Sequence, residues 1–345
     1  MDRLEQIAQF MLDQHNSKQN FQNLPETLMP KDFDEAYKVQ QVFQKNSDRG
    51  ELGGFKIALA SKIQQELCGI DHPIAGGIFA NEINSSPSTF ELSNFHGLGL
   101  EFEIAVTLSE DLKPEMGSFD KNNIRQYIKS LSPAFELIID RNANYSNINA
   151  LTMITDNAWC SGIVLGKELP NWENLDFDII KSQLLWNDES PQNAMIKDAN
   201  PLESLSWVAN LLLSHGRTIP KGSVIITGSV IKTRAPQRGD HIIYKVGNLS
   251  EDLKPEMGSF DKDNIRQYIK SLSPAFELII DRNADYSNIN ALTMITDNAW
   301  CSGIVLGKEL PNWENLDLDI IKSQLLWNDE PPQNAMIKDA NPLES

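Results

Sequence analysis

Leu100-Glu101-Phe102-Glu103-Ile104-Ala105-Val106 alternates apolar and acidic side chains. It reads as a β-strand with Leu100, Phe102 and Ile104 on one face and both glutamates on the other. A strand inside a domain keeps apolar residues on its buried face. The acidic face therefore either meets water or holds a cation, because adjacent buried carboxylates repel unless positive charge is supplied. A second run, Phe135-Glu136-Leu137-Ile138-Ile139-Asp140, delivers an acid at its end, followed at once by Arg141. Three carboxylates without a nearby histidine or thiolate suit Mg2+ or Mn2+. Lys56, inside the apolar stretch Gly54-Phe55-Lys56-Ile57, reads either as an edge lysine with its head in water or as a buried proton donor near a metal. Asp71, in Gly69-Ile70-Asp71-His72-Pro73, is a turn aspartate or a catalytic acid on the same terms.

Outward from these segments, the first sixty residues are mostly helical. Leu4, Ile7, Ala8, Phe10 and Met11 recur at helical spacing, as do the apolar positions of Asp32 to Phe43 behind Pro30. Gly53-Gly54 stops that pattern, and Phe55 to Leu59 reads as a strand. A short helix over Ser61 to Leu67 and an apolar segment, Ile74 to Phe79, follow. Asp120 to Ile128 suggests a capped helix, Ala134 to Ile139 a strand, Gly162 to Leu165 another, and Leu202 to Leu213 a helix. Strands at Ser223 to Thr227 and His241 to Val246 complete the unit. Many short strands with few regular crossover helices favour an α+β fold built on a mixed or barrel-like sheet with a helical cap.

Residues 249–345 repeat residues 108–204 at an offset of 141, with differences only at Asn122/Asp263, Asn144/Asp285, Phe177/Leu318 and Ser190/Pro331. Solenoid units keep a few interface positions and vary elsewhere, so this is a block duplication and not a repeat fold. The expected organisation is one domain over 1–249 and a truncated, non-catalytic duplicate of 109–204 over 250–345. Under the same offset Glu101 corresponds to Ile242 and Glu103 to Tyr244, so the duplicate carries Asp281 without its acidic partners. The formal charge of −18 argues against nucleic acid or an anionic membrane as partner. Half of it comes from residues 249–345, with 17 acidic and 8 basic side chains. Cys68, Cys160 and Cys301 form neither a disulfide framework nor a zinc knuckle. No leader pattern and no long apolar stretch occurs, which points to the cytoplasm.

Further ordered blocks accompany those quoted: Glu136-Leu137-Ile138-Ile139-Asp140-Arg141, Thr155-Asp156-Asn157-Ala158, Asn200-Pro201-Leu202-Glu203, Ile226-Thr227-Gly228-Ser229 and Gly239-Asp240. Together they resemble the 2-oxo-4-pentenoate hydratase and 4-oxalocrotonate decarboxylase group of the fumarylacetoacetate hydrolase superfamily, over nearly all of residues 1–247. The resemblance implies a mixed β-roll with an N-terminal helical region, extended here by the partial duplicated block. It implies Glu101, Glu103 and Asp140 as ligands of Mg2+ or Mn2+, and Lys56 and Asp71 over the reacting carbons. Thr227, Gly228 and Ser229 would line the pyruvyl end of the pocket.

The implied reaction adds water to a 2-hydroxy-2,4-dienoate. The alternatives are decarboxylation of 2-oxo-3-hexenedioate, with His72 or Arg141 meeting the distal carboxylate, and an inactive duplicated product. The implied partners are the small-molecule 2-oxo or 2-hydroxydienoate, further copies of the chain in a homo-oligomer, and a decarboxylase subunit. Three departures stand out. Ala58 occupies a position where glycine is expected, Ile74 one where a polar residue is expected, and the duplicate begins where a last strand should follow Leu249.

Overall fold

The computed structural model describes residues 1–247 and, beyond them, residues 269, 271–281, 301–311, 313, 316–317, 320–326, 328 and 330–336. The chain divides into two compact units, Met1–Leu249 and Ser250–Ser345. Among the described residues, no helix is long and apolar enough to cross a membrane.

The first unit opens with α1 (Arg3–Asn16). The Asp2 carboxylate accepts from the Glu5 amide and the Glu5 carboxylate accepts from the Asp2 amide, a reciprocal cap that satisfies two otherwise free donors. Asp32 caps α2 (Phe33–Asn46) by accepting from the Glu35 amide. Ile7, Ala8 and Met11 close on Val39 and Phe43, which holds the two helices together. There follow β1 (Leu52–Ala58), α3 (Lys62–Leu67), β2 (Ile74–Phe79), β3 (Ile83–Ser85), β4 (Leu98–Leu108), β5 (Ile128–Ile139), α4 (Ala150–Thr155) and β6 (Cys160–Leu165). Then come β7 (Lys181–Trp186), β8 (Gln192–Met195), α5 (Pro201–Ser214), β9 (Val224–Ile226) and β10 (Ile242–Val246).

Seven strands form one sheet in the order β2-β1-β9-β4-β5-β6-β3, and β10-β7-β8 form a second. The large sheet is mixed: β1–β9 and β3–β6 are parallel, while β4 pairs antiparallel with both β9 and β5. One face of β4 carries Leu100, Phe102, Ile104 and Val106, all buried. Leu100 and Phe102 cluster with Trp186 and Tyr244 of the second sheet. Ile104 and Val106 cluster with Leu205, Val208 and Leu212 of α5. This apolar side fixes which way the strand faces, so the glutamates must emerge on the other.

Asp120 to Ile128 is not the expected helix. Asp120 Oδ1 accepts from the amides of both Asn122 and Asn123, closing a turn before a second helical turn can form, and only Arg125–Tyr127 is helical, as a 3-10 turn. The strand then starts at Ile128, because pairing with β4 extends back to Leu108. The hairpin of β7 and β8 was not expected either, although Ser182, Leu184 and Trp186 alternate as buried positions.

In the second unit β11 (Ala275–Ile279) pairs antiparallel with β12 (Cys301–Leu306), and β13 (Lys322–Leu325) with β14 (Gln333–Met336). Each register equals that of the first copy shifted by 141: Phe276↔Val305 repeats Phe135↔Val164, and Lys322↔Met336 repeats Lys181↔Met195. Burial does not repeat. Leu278 is 49% and Ile304 60% exposed, whereas Leu137 and Ile163 are buried. The expected truncation at residues 337–345 lies outside the described residues. Exposed apolar strands of this kind drive association. We expect Phe276→Lys with Ile304→Lys to raise the concentration at which light scattering reports a monodisperse protein; an unchanged threshold would count against this.

Candidate metal centre

The register of β4 and β5 builds the centre. Glu101 stands directly opposite Glu136, and Glu103 opposite Ala134, so side chains at these positions share one face. Glu101, Glu103 and Glu136 each offer an oxygen within 4.8 Å of the others. Glu103 and Glu136 are fully buried, and Glu101 is half-buried at the floor of a cavity of about 850 Å3. Ala105 and Ala134, both small and buried, flank Glu103 and leave room for the carboxylates.

Lys56 comes from β1, two strands away, and is 1% exposed; its Nζ lies 2.6 Å from Glu136 Oε1. Opposite Lys56 on β2 stands Gly76. A Cβ there would lie 2.5 Å from the Asn157 carbonyl, so this close approach requires glycine. Glu103 Oε2 accepts from the Gly228 amide at 2.7 Å, which a φ of +109° at Gly228 aims inward. Glu101 Oε1 accepts from Thr233 Oγ1 at 2.6 Å. Glu103 Oε1 and Glu136 Oε2, although buried, receive no hydrogen bond.

Burial pushes the Glu136 carboxyl up to about 7 against the pull of Lys56, with the charge of Glu101 adding to the rise. Burial, then Glu136 and Glu101, hold Glu103 well above the usual carboxylate range. The Lys56 ammonium rises above the ordinary lysine value: burial opposes this, and Glu136 and Glu101 together outweigh it. Fully ionised, three carboxylates and one ammonium carry a net charge of two minus. The unbonded oxygens, the all-oxygen donor set and that charge fit one hard divalent cation.

Several expected site residues lie elsewhere. Asp140 does not join Glu101 and Glu103. The register pairs Ile139 with Leu98, so Asp140 lies past the end of β5, where its amide donates to the Gly97 carbonyl. Its carboxylate accepts from the Tyr145 hydroxyl at 2.8 Å and from the Asn142 amide at 2.9 Å. Four residues along a strand separate it from Glu136 by about 13 Å. Asp71 is exposed and lines a separate surface depression with Lys31, Asp32 and Leu151, because the turn at Gly69 (φ +68°) leads the chain out of the cavity.

Thr227 is fully buried and its hydroxyl donates to the Ile104 carbonyl, tying β9 to β4 and not lining the cavity. Gly228 and Ser229 do line it, with Ser229 Oγ accepting from the Phe102 amide and donating to the Ile231 carbonyl. Ala58 also lines the cavity, and Ile74, its partner on β2, is buried. Glu136, Tyr145 and Thr233 were not singled out from sequence. For Glu136 the signal was present: it alternates with Phe135 and Leu137 as Glu101 alternates with Leu100 and Phe102.

No family model matches the chain. It is 27% identical over 242 residues to the 2-keto-4-pentenoate hydratase of Paraburkholderia xenovorans, a match spanning 68% of this chain and 88% of that protein. It is 25% identical over 252 residues to the 4-oxalocrotonate decarboxylase of Pseudomonas putida, across 71% and 92% of the two chains. Among solved structures, the 4-oxalocrotonate decarboxylase of Pseudomonas putida G7 complexed with magnesium and adipate superposes with a TM-score of 0.64 at 21% identity, covering 70% of this chain and 93% of that one. The last comparison shows a common fold.

Two outcomes follow from the geometry. In metal-free protein the folded Glu136 carboxyl titrates near 7 against 4.5 unfolded. The folded state then holds a proton the unfolded chain releases, so this group's contribution to stability falls as pH rises through that window. A cation competes with that proton, and Mg2+ should raise Tm more at pH 8 than at pH 5; a pH-independent shift would be inconsistent with carboxylate ligation. Loss of an outer partner already weakens metal binding by about 10- to 100-fold. Titration calorimetry should show that Glu136→Gln weakens Mg2+ binding at least as much, while Asp140→Asn stays close to the native affinity.

Proposed function

We propose that this chain, which groups with the 2-keto-4-pentenoate hydratases and 4-oxalocrotonate decarboxylases of the fumarylacetoacetate hydrolase superfamily, is a metal-dependent lyase. In this reading it adds water to 2-hydroxypenta-2,4-dienoate and yields 4-hydroxy-2-oxopentanoate. The observation that carries the proposal is the cluster of Glu101, Glu103 and Glu136 with buried Lys56, opening on the cavity. Support for a divalent ion comes from neighbours of the same fold complexed with magnesium and adipate or with calcium and acetate. Residues 1–249 form the catalytic unit, and residues 250–345 have no part in the chemistry.

Glu101, Glu103 and Glu136 would hold Mg2+ or Mn2+, and the bound ion would supply an electrophile where negative charge gathers on the 2-oxo acid head of the substrate. Ketonisation removes the proton of the 2-hydroxyl and delivers one to C5. Water then forms the C4–O bond while C3 gains a proton, so one water is added overall. Lys56 lines the cavity floor with its proton held on Nζ by Glu136 and Glu101, and it offers that proton or a hydrogen bond to the substrate. The Gly228 amide and the Thr233 hydroxyl hold Glu103 and Glu101 in place.

Decarboxylation of 2-oxo-3-hexenedioate needs a cation for the distal carboxylate. Arg141 does not supply it: buried against Phe21, it pairs with Asp156 at 2.5 Å. His72 does not either, since it is not among the residues that line the cavity and its ring packs against Phe33 and Trp207. Lys232 is the other lysine that lines the cavity besides Lys56, and it is the residue on which a decarboxylase reading depends.

With both substrates assayed, hydration should require added Mg2+ or Mn2+ and stop with chelator. Lys56→Met should lower kcat by about 10²- to 10⁴-fold while Mg2+ still raises Tm. Decarboxylation without hydration would overturn the proposal, and metal binding without turnover of either substrate would favour an inactive product.

A further inference from the structure

The cavity is larger than a five-carbon dienoate requires. At about 850 Å3 it lies near the top of the range of roughly 300–1,000 Å3 that accommodates drug-sized ligands. Lys56, Glu101, Gly228, Ser229 and Thr233 gather around the carboxylate cluster, and Gln64, Asp198, Asn200, Glu203 and Lys232 also line the cavity. Another part of the wall is apolar, made by Ile138, Ile148, Met153, Trp159 and Trp207, which belong to a single hydrophobic cluster.

That wall is held in shape. Asn157, Ala158 and Trp159 adopt left-handed φ values of +53°, +50° and +62°, a conformation that costs energy for residues other than glycine and persists only where surroundings enforce it. The Asn157 side chain supplies the enforcement: its Oδ1 accepts from the Gly77 amide at 2.7 Å and from Gln44 Nε2 at 2.8 Å, and its Nδ2 donates to the Gly77 carbonyl at 2.8 Å. Toward α3, Ile63 and Leu67 line the cavity while 71% and 67% exposed, two large apolar side chains without a covering core. Among the charged lining residues, Asp198 and Glu203 outnumber Lys232 away from the floor, which disfavours a second carboxylate on the ligand.

We infer that the same site prefers, over the five-carbon 2-hydroxypenta-2,4-dienoate, a 2-hydroxy-2,4-dienoate whose C5 bears an apolar tail of several carbons, lying along the Ile148–Trp159–Trp207 wall toward Ile63 and Leu67. This rests on the lyase reading for its reactive head. The tail has its own test. With full-length protein and Mg2+, calorimetry compares the unreactive 2-oxopentanoate, 2-oxohexanoate and 2-oxooctanoate. Affinity should tighten roughly fourfold per methylene, and Ile148→Trp, which narrows the wall, should flatten that series. Equal affinities overturn the inference, as does tighter binding of a six-carbon 2-oxo dicarboxylate, which would assign the space to a ligand held by Lys232. Turnover of 2-hydroxypenta-, hexa- and octa-2,4-dienoate is measured alongside. A kcat/KM that rises with length supports the inference, and a flat series with good turnover overturns it while leaving the lyase reading intact. Tightening affinity with no turnover at all overturns the lyase reading and upholds the tail site.

Discussion

Three carboxylates on neighbouring strands, two of them removed from water, with one lysine to answer them, form the constraint on which the rest of this unit depends. At an effective dielectric near 20, like charges about 4 Å apart repel by about 4 kcal/mol, more than the roughly 1 kcal/mol net of an ordinary hydrogen bond. The contacts present are few: the Gly228 amide on Glu103, Thr233 on Glu101 and Lys56 on Glu136. They orient the acids without neutralising them. The folded chain therefore takes up protons or a divalent ion, and the rise of the Glu136 carboxyl to about 7 expresses the first choice. What reads as a defect in a core thus fits the metal site proposed above: the repulsion among these carboxylates is what a cation would relieve.

The scaffold bears this cost through the opposite face of the same strand. Phe102 lies between Glu101 and Glu103 in sequence and points the other way, into an aromatic cluster with Phe135, Trp186 and Tyr244. Removing a buried phenylalanine costs about 3–5 kcal/mol, enough to hold β4 in a register that its acidic face alone would resist. A one-residue slip would exchange the faces, burying more charge and exposing Phe102. The long antiparallel pairing of β4 with β5 is consequently both the structural core and the device that sets Glu101 against Glu136.

That division explains what was legible beforehand. The alternation at Leu100–Val106 identified Glu101 and Glu103 because period two is a local property of the chain. The third acid depends on which β5 residue stands opposite, and register between strands separated by the loop 109–127 is a tertiary property that composition does not encode. Asp140 drew attention as an acid at the end of an apolar run, yet such positions close turns, and here it holds Tyr145 and Asn142. Asp71 lies off the cavity for a similar reason: the segment Gly69 to Pro73 is a turn, and the direction in which a turn points is decided by what it packs on. Lys56 was ambiguous between edge and interior until the order of strands placed β1 inside the sheet, flanked by β2 and β9.

The duplicated block separates local from non-local information within one molecule. Its strands β11 and β12 reproduce the register of β5 and β6, including the irregularity near Ile279 that repeats the one near Ile138. The pairing of β5 with β6 is thus carried by the segment itself. Burial is not, because the partner of β5 on its other edge is β4, which precedes the duplicated stretch and was not copied. Glu277 corresponds to Glu136, but it stands on a strand that is 49–59% exposed at Leu278, Phe276 and Ile279, where a carboxylate is solvated and gains little from a cation. Among the described residues only the set with β4 gathers three acids. The same glutamate in the same strand pair therefore has two physical characters, and the difference is the neighbouring strand that takes it out of water.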